Sequence, residues 1–169
     1  MHDQPKYEPL EASAFFADGR TSRPRLPGTV ARGEAWADTP RTTGRQGEAF
    51  VPAIPLPVTA ALLARGRERY DVFCAVCHDR VGTGNGLIVQ RGYRRPPSLH
   101  EPRLRDVEAG HLFDVVGRGF GVMPGYAAQI PGDDRWAIVA YVRALQLSQR
   151  APLRALNDAE RARLPGEDG

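Results

Sequence analysis

Five consecutive residues, Cys74-Ala75-Val76-Cys77-His78, decide how this chain is read. In a C-x-x-C-H run the two thiols lie one helical turn apart, so both can point the same way. That places them to add to the two vinyl groups of one porphyrin, the attachment pattern of a c-type haem. The imidazole of His78 follows directly and can sit under the iron as the proximal ligand. These are the only two cysteines in 169 residues, so neither is left for a structural disulfide. Other uses of such a pair fit less well. A redox dithiol needs a preceding strand in a βαβ context, which these flanks do not supply. A structural zinc site needs four ligands, and none of the four histidines stands at finger spacing.

Upstream of the pentad, Thr59 is suited to cap a helix that carries Leu62, Leu63, Gly66, Tyr70 and Phe73 at helical spacing. Gly66, Tyr70 and Cys74 are four apart and share one face. A glycine there permits close approach of a second helix, and the one bearing Trp136 and Tyr141 is the expected partner. Downstream, Val81-Gly82-Thr83-Gly84-Asn85-Gly86 is glycine-rich but lacks the Gly-Lys-Ser/Thr ending of a phosphate loop. An irregular stretch to Pro96-Pro97 follows. Asp106 is the expected cap of a second helix, carrying Leu112, Val115 and Val116 and stopped by Gly117. Asp133 is the expected cap of a third, with Ile138, Val142 and Leu145 on its apolar face. No strand-period alternation occurs between 59 and 148, so the expected class is all-α, with the haem domain over residues 59–148.

The sixth iron ligand is best assigned to Met123, the only methionine after residue 1. It lies in Gly119-Phe120-Gly121-Val122-Met123-Pro124-Gly125-Tyr126, where glycines let backbone lie close over a flat ring. A methionine is more often core packing, but a Gly/Pro loop is not an ordinary core position. His100 and His111 are the competing ligands. His/Met ligation raises the potential relative to bis-histidine and fills both axial positions, which favours electron transfer. A five-coordinate iron would instead permit peroxidase-like chemistry. Arg91, Tyr93, Arg94 and Arg95 suit either the haem propionates or a solvated basic surface.

Residues 1–58 read as an extended arm, with prolines at 5, 9, 24, 27, 40, 52, 55 and 57 leaving room for no more than a helical turn over 11–17. The arm still carries Tyr7, Leu10, Phe15, Phe16, Val30, Trp36 and Phe50, which suggests docking on a partner subunit; folding back on its own domain is the other reading. Residues 149–169 form a polar tail with one helical turn expected near 157–163. The net charge of +3 lies wholly in the middle segment, where twelve basic residues face nine acidic ones. No basic run with interleaved aromatics accompanies it, so nucleic acid is not an expected partner. No run of 18 apolar residues is present. The polar start is not a signal peptide. Because haem attachment belongs to the periplasmic side, an export segment is expected to have been removed.

The flanks of the pentad resemble the class I cytochrome c fold, in which the first and last helices cross at a glycine–aromatic contact. The resemblance extends to Pro96-Pro97-Ser98-Leu99 and implies that the Pro97 carbonyl accepts a bond from His78, with Leu99 packed on the haem. It extends also to Met123-Pro124-Gly125-Tyr126, which is similar to the Met-Pro-x-Tyr segment of that fold, and adds Tyr126 and Tyr70 to the residues packing on the haem. The arm is more specific. Lys6-Tyr7-Glu8-Pro9-Leu10, Phe15-Phe16-Ala17-Asp18-Gly19-Arg20, Gly28-Thr29-Val30-Ala31-Arg32-Gly33, Arg65-Gly66-Arg67-Glu68-Arg69-Tyr70 and Arg91-Gly92-Tyr93 resemble the monohaem cytochrome c subunit of bacterial alternative complex III. That resemblance implies one covalent haem c in a periplasmic lipoprotein subunit of a quinol-oxidising membrane complex. Electrons would arrive from a multihaem cytochrome subunit and leave to a terminal oxidase or soluble cytochrome. A free periplasmic shuttle is the alternative.

Overall fold

Helix formation follows local signals first. The computed structural model describes residues 4–8, 10–24, 26, 29, 39–150, 152 and 156–161. Its elements in chain order are α1 (Pro40–Thr43), β1 (Arg45–Gln46), β2 (Ala49–Phe50), α2 (Ala60–Phe73), α3 (Ala75–His78), α4 (Leu87–Gln90), α5 (Pro102–Asp106), α6 (Ala109–Arg118), β3 (Gly119–Phe120), β4 (Met123–Pro124), α7 (Gly132–Ser148) and α8 (Asp158–Arg161). The strands form two separate two-stranded antiparallel hairpins, β1–β2 and β3–β4. Everything else that is regular among the described residues is helical.

The chain divides into two units, Met1–Trp36 and Ala37–Gly169. In the first, the helical turn expected over 11–17 is absent. A bridge between Ala12 and Arg20 closes a loop instead, with the Ser13 amide donating to the Gly19 carbonyl at 2.9 Å. Phe15 and Phe16 meet edge to face at 5.0 Å, and the Arg23 guanidinium lies over Phe16. Val30 and Trp36 lie outside the described residues.

In the second unit, Thr59 starts α2 by accepting the Leu62 amide at 3.1 Å, as a threonine N-cap should. The long helices α2 and α7 pack directly on one another at Gly66. A methyl built there would run into the Ala137 carbonyl oxygen and the Tyr141 side chain, so only glycine lets the backbones approach this closely. Tyr70, 1% exposed, meets Tyr141 edge to face at 5.3 Å beside the crossing. Trp136, expected at the same crossing, faces the opposite side of α7. It stacks on Phe113 at 4.3 Å and donates from Nε1 to the Arg41 carbonyl at 2.7 Å.

Two helix starts differ from the sequence reading. Asp106 ends α5, whose first turn is set by Pro102, and an extended Val107 separates it from α6. Glu108 takes the N-cap position of α6, and that helix runs through Gly117 to Arg118. Helix α7 begins at Gly132 after Pro131, with Asp133 and Asp134 in the first turn, not at the cap.

The sequence suggests a boundary at residue 58, whereas residues 39–57 here pack on the second unit's own core. Val51 is buried with Ala109, Phe113, Trp136 and Val139, and Ile54 and Leu56 pack on that cluster. The Val51 amide donates to the Gly44 carbonyl at 3.0 Å, and Gly110 donates to the Val51 carbonyl at 2.9 Å.

Candidate haem site

The pentad sits at the end of α2, held by ordinary helical bonding. Cys74 is the last residue before the break, its amide donating to the Tyr70 carbonyl at 2.8 Å. The amides of Cys77 and His78 then both donate to the Cys74 carbonyl, at 3.1 and 2.9 Å, closing the single turn of α3. Both cysteines are free thiols. Burial, and then the neighbouring Cys77, push the Cys74 thiol up to about 12; burial raises Cys77 as well. Burial also lowers the pKa of His78, against the opposing pull of Asp79.

Asp79 organises the loop that follows. It adopts the left-handed φ of 58°, and its carbonyl accepts the Tyr70 hydroxyl at 2.8 Å. Its carboxylate accepts the amides of Val81 (2.8 Å), Asn85 (2.9 Å) and Thr83 (3.2 Å), together with the Thr83 hydroxyl. Burial works against ionisation, but the Thr83 hydroxyl and these amides outweigh it and hold the carboxyl down to about 2. The glycines of this loop serve close packing: Gly84 lies against the Pro96 carbonyl, and Gly86 against the backbone of Val76 and Cys77.

The wall beside the thiols is apolar and only partly covered. Phe73, Cys74, Ala75, Leu99, Leu112, Val116 and Tyr126 pack around a buried set of Tyr70, Ile130, Ile138, Val142 and Leu145. Tyr126 meets Phe73 at 6.2 Å. Burial raises its phenol pKa, and it packs in the same cluster as Cys74.

Met123 is half-buried three residues before Tyr126, on the β3–β4 hairpin, where it pairs with Phe120. The hairpin is fastened to the end of α6. Gly119, at φ 84°, has no room for a side chain beside the Met123 carbonyl, and the Tyr126 amide donates to the Val116 carbonyl at 3.0 Å. The Tyr93 hydroxyl reaches the Val122 carbonyl at 3.4 Å. His100 Nε2 is 2.6 Å from the Val81 carbonyl oxygen, and His111 lies edge-on to Phe50 at 5.2 Å.

The bond from His78 to Pro97 is not made. His78 Nδ1 is buried without a partner, and Pro97 is exposed. Pro96 is instead the proline whose carbonyl the loop touches, because Gly84 brings the chain down on it. Leu99 does join the wall. Sequence reasoning assigned no role to Asp79, Arg143 or Gln146. An acid directly after the pentad and a glutamine in an apolar helix face were the available signals.

The donor set fits a covalently held porphyrin. Two unbridged thiols and a half-buried imidazole whose buried Nδ1 has no partner share one turn, and Cys74 packs on the half-covered apolar wall. Among the described residues no cluster of three or more His, Cys, Asp or Glu could hold a bare metal ion.

Residues 61–142 match the family model described as cytochrome c oxidase, cbb3-type, subunit III. Among solved structures, the chain is similar to a Kuenenia stuttgartiensis reducing HAO-like protein complex. Identity is 23% and the TM-score 0.47, over 60% of this chain and 51% of that one, so the match spans about half of that chain. No curated protein sequence matches. The family match over residues 61–142 and the mostly helical architecture show a cytochrome c domain, consistent with the class I fold. Such a domain carries covalent haem c and works by haem-based electron transfer.

Proposed function

We propose that the chain binds one haem c through Cys74 and Cys77, with His78 and Met123 as axial ligands. It relays electrons as a fixed subunit of a quinol-oxidising respiratory complex and has no catalytic chemistry of its own. The observation that carries this reading is the convergence on one apolar wall. Cys74 packs in one apolar cluster with Tyr126, Cys77 and His78 share its helical turn, and Tyr126 belongs to the segment that bears Met123.

A bound haem supplies a one-electron couple between ferric and ferrous iron. The chain's residues do the rest. Cys74 and Cys77 fix the ring covalently, while Tyr70 and Asp79 brace the turn that presents His78. Leu99, Phe73 and Tyr126, packed in one apolar cluster with Cys74, would exclude water from a haem held there and so raise the cost of the extra charge on ferric iron. A thioether from Met123 would favour the ferrous state further, and with His78 it would leave the iron closed to oxygen or peroxide.

The assembly part of the proposal rests on the resemblance of the arm to the monohaem subunit of alternative complex III. The chain would lie on the periplasmic side of the bacterial inner membrane, held by the complex and by a lipid anchor upstream. A multihaem cytochrome subunit would be its donor, and a terminal oxidase or soluble cytochrome its acceptor. Exposed Phe15 and Leu10 suit docking on such neighbours.

Two measurements test this. Met123→Ala is expected to open the sixth position, so that cyanide or carbon monoxide binds quickly and the potential falls; an unchanged spectrum sinks the Met123 assignment. Tagged protein drawn from solubilised membranes should bring haem-staining subunits with it. Recovery of the cytochrome alone, from the soluble fraction, favours the free shuttle.

A further inference from the structure

Helix α7 turns two polar side chains toward the haem-side wall. Gln146, 6% exposed, donates from Nε2 to the carbonyls of Leu99 (2.7 Å) and Leu104 (3.2 Å), and its Oε1 accepts from Arg143 Nη1 at 2.8 Å. Arg143, one turn earlier, also donates to the carbonyls of Leu104 (3.3 Å), Arg105 (2.9 Å) and Val107. The last carbonyls of α5 have no partners within their own helix, and α7 satisfies them. An amide buried this deeply is costly unless bonded, and its neighbours Val142 and Leu145 are apolar. Its bonds hold one segment of backbone in place.

That segment leads back to the pentad. Leu99, whose carbonyl Gln146 grips, donates its own amide to the Gly82 carbonyl at 2.8 Å, and the Ser98 hydroxyl reaches the same carbonyl at 3.4 Å. Gly82 lies between Val81 and Thr83, whose amides the Asp79 carboxylate holds. The Asp79 amide closes the chain on the Ala75 carbonyl at 2.9 Å, next to His78. A continuous run of hydrogen bonds thus joins the middle of α7 to the turn that presents the imidazole. The Leu99 side chain meanwhile packs in the same cluster as Cys74 and Phe73.

We propose that Gln146 is a positioning residue for the haem, steadied by Arg143. It sets how closely the Ser98–Leu99 wall stands to His78 and how much water reaches that face. Groups behind a metal ligand that fix its orientation and its access to solvent tune the metal itself. The inference rests on the haem reading, and its test separates the two.

The holoprotein is compared with Gln146→Met, which matches length and removes both carbonyl bonds, and with Arg143→Met, which leaves the Leu99 bond in place. Gln146→Met should retain covalent haem and shift the equilibrium constant for reduction by about threefold, or roughly 28 mV for one electron. It should also speed amide hydrogen exchange across residues 79–86 and 98–100. Arg143→Met should shift the potential less. If Gln146→Met does not fold, any potential shift in Arg143→Met decides the matter. Variants that carry haem and unfold more easily, yet keep the wild-type potential, overturn the inference. Absence of haem from the wild-type chain overturns the haem reading instead.

Discussion

Helix α7 is shared by two apolar clusters, and one is finished while the other is open. On one side Trp136, fully buried, stacks on Phe113 and is closed over by Val51, Ile54 and Leu56 from the segment before α2. Its indole nitrogen has a partner in the Arg41 carbonyl. On the other side, Ile138, Val142 and Leu145 are buried, but Phe73, Cys74, Leu99 and Tyr126 in front of them are only partly covered. The first cluster is a core that the polypeptide completes by itself. The second is only partly covered by the polypeptide itself. A flat, apolar macrocycle fixed at Cys74 and Cys77 would pack on it, which would couple haem attachment to the stability of one side of the domain and much less to the other.

The largest expected effect comes from breaking the open side. In Cys74→Ala/Cys77→Ala, covalent haem should be lost from a denaturing gel stained for haem. Cooperative unfolding, followed by circular dichroism, should be lost or severely weakened. Retention of a sharp transition in that variant would mean that the second cluster closes without a cofactor. Next comes Trp136→Ala, on the finished side. Truncating a fully buried tryptophan typically costs about 3–5 kcal/mol, and the orphaned Arg41 carbonyl adds to this. Denaturant unfolding of the holoprotein should show that loss while the haem absorption spectrum stays at wild type. A spectrum that moved with Trp136 would show the two sides to be one unit.

The same division marks what the sequence discloses. Local signals were readable: the Thr59 cap, the face shared by Gly66, Tyr70 and Cys74, and the pentad itself each depend on residues within a turn or two. Trp136 was not, because it and Tyr141 point about 140° apart on a helix of 3.6 residues per turn. Only one of them could reach Gly66, and spacing alone does not say which. The segment before α2 looked like arm because prolines and glycines suppress helical pattern, yet Val51 and Ile54 need no helix to fill a gap left by α6 and α7. The hairpin carrying Met123 has two-residue strands, too short for any alternation to show. Asp79 was silent because its role is made by loop amides that converge only once the loop has closed.

The smallest expected effect sits at the edge of the finished side, where Arg41 meets Asp133 in the first turn of α7 with 2.9 Å between Nε and Oδ1. The Arg41 guanidinium hydrogen bond, and then its charge, hold the Asp133 carboxyl below the usual carboxylate range. A depressed carboxyl contributes stability above its unfolded pKa of about 3.9, and that contribution disappears as pH falls through the lower folded value. Both side chains are more than half exposed, so solvent and salt screen the pair heavily. A double-mutant cycle of Arg41→Met and Asp133→Asn should therefore show weak coupling at neutral pH, and still less in high salt or in acid. Strong coupling that persists in high salt would place this pair inside the finished cluster, and the strap of residues 39–57 would then be held by charge as well as by the packing of Val51.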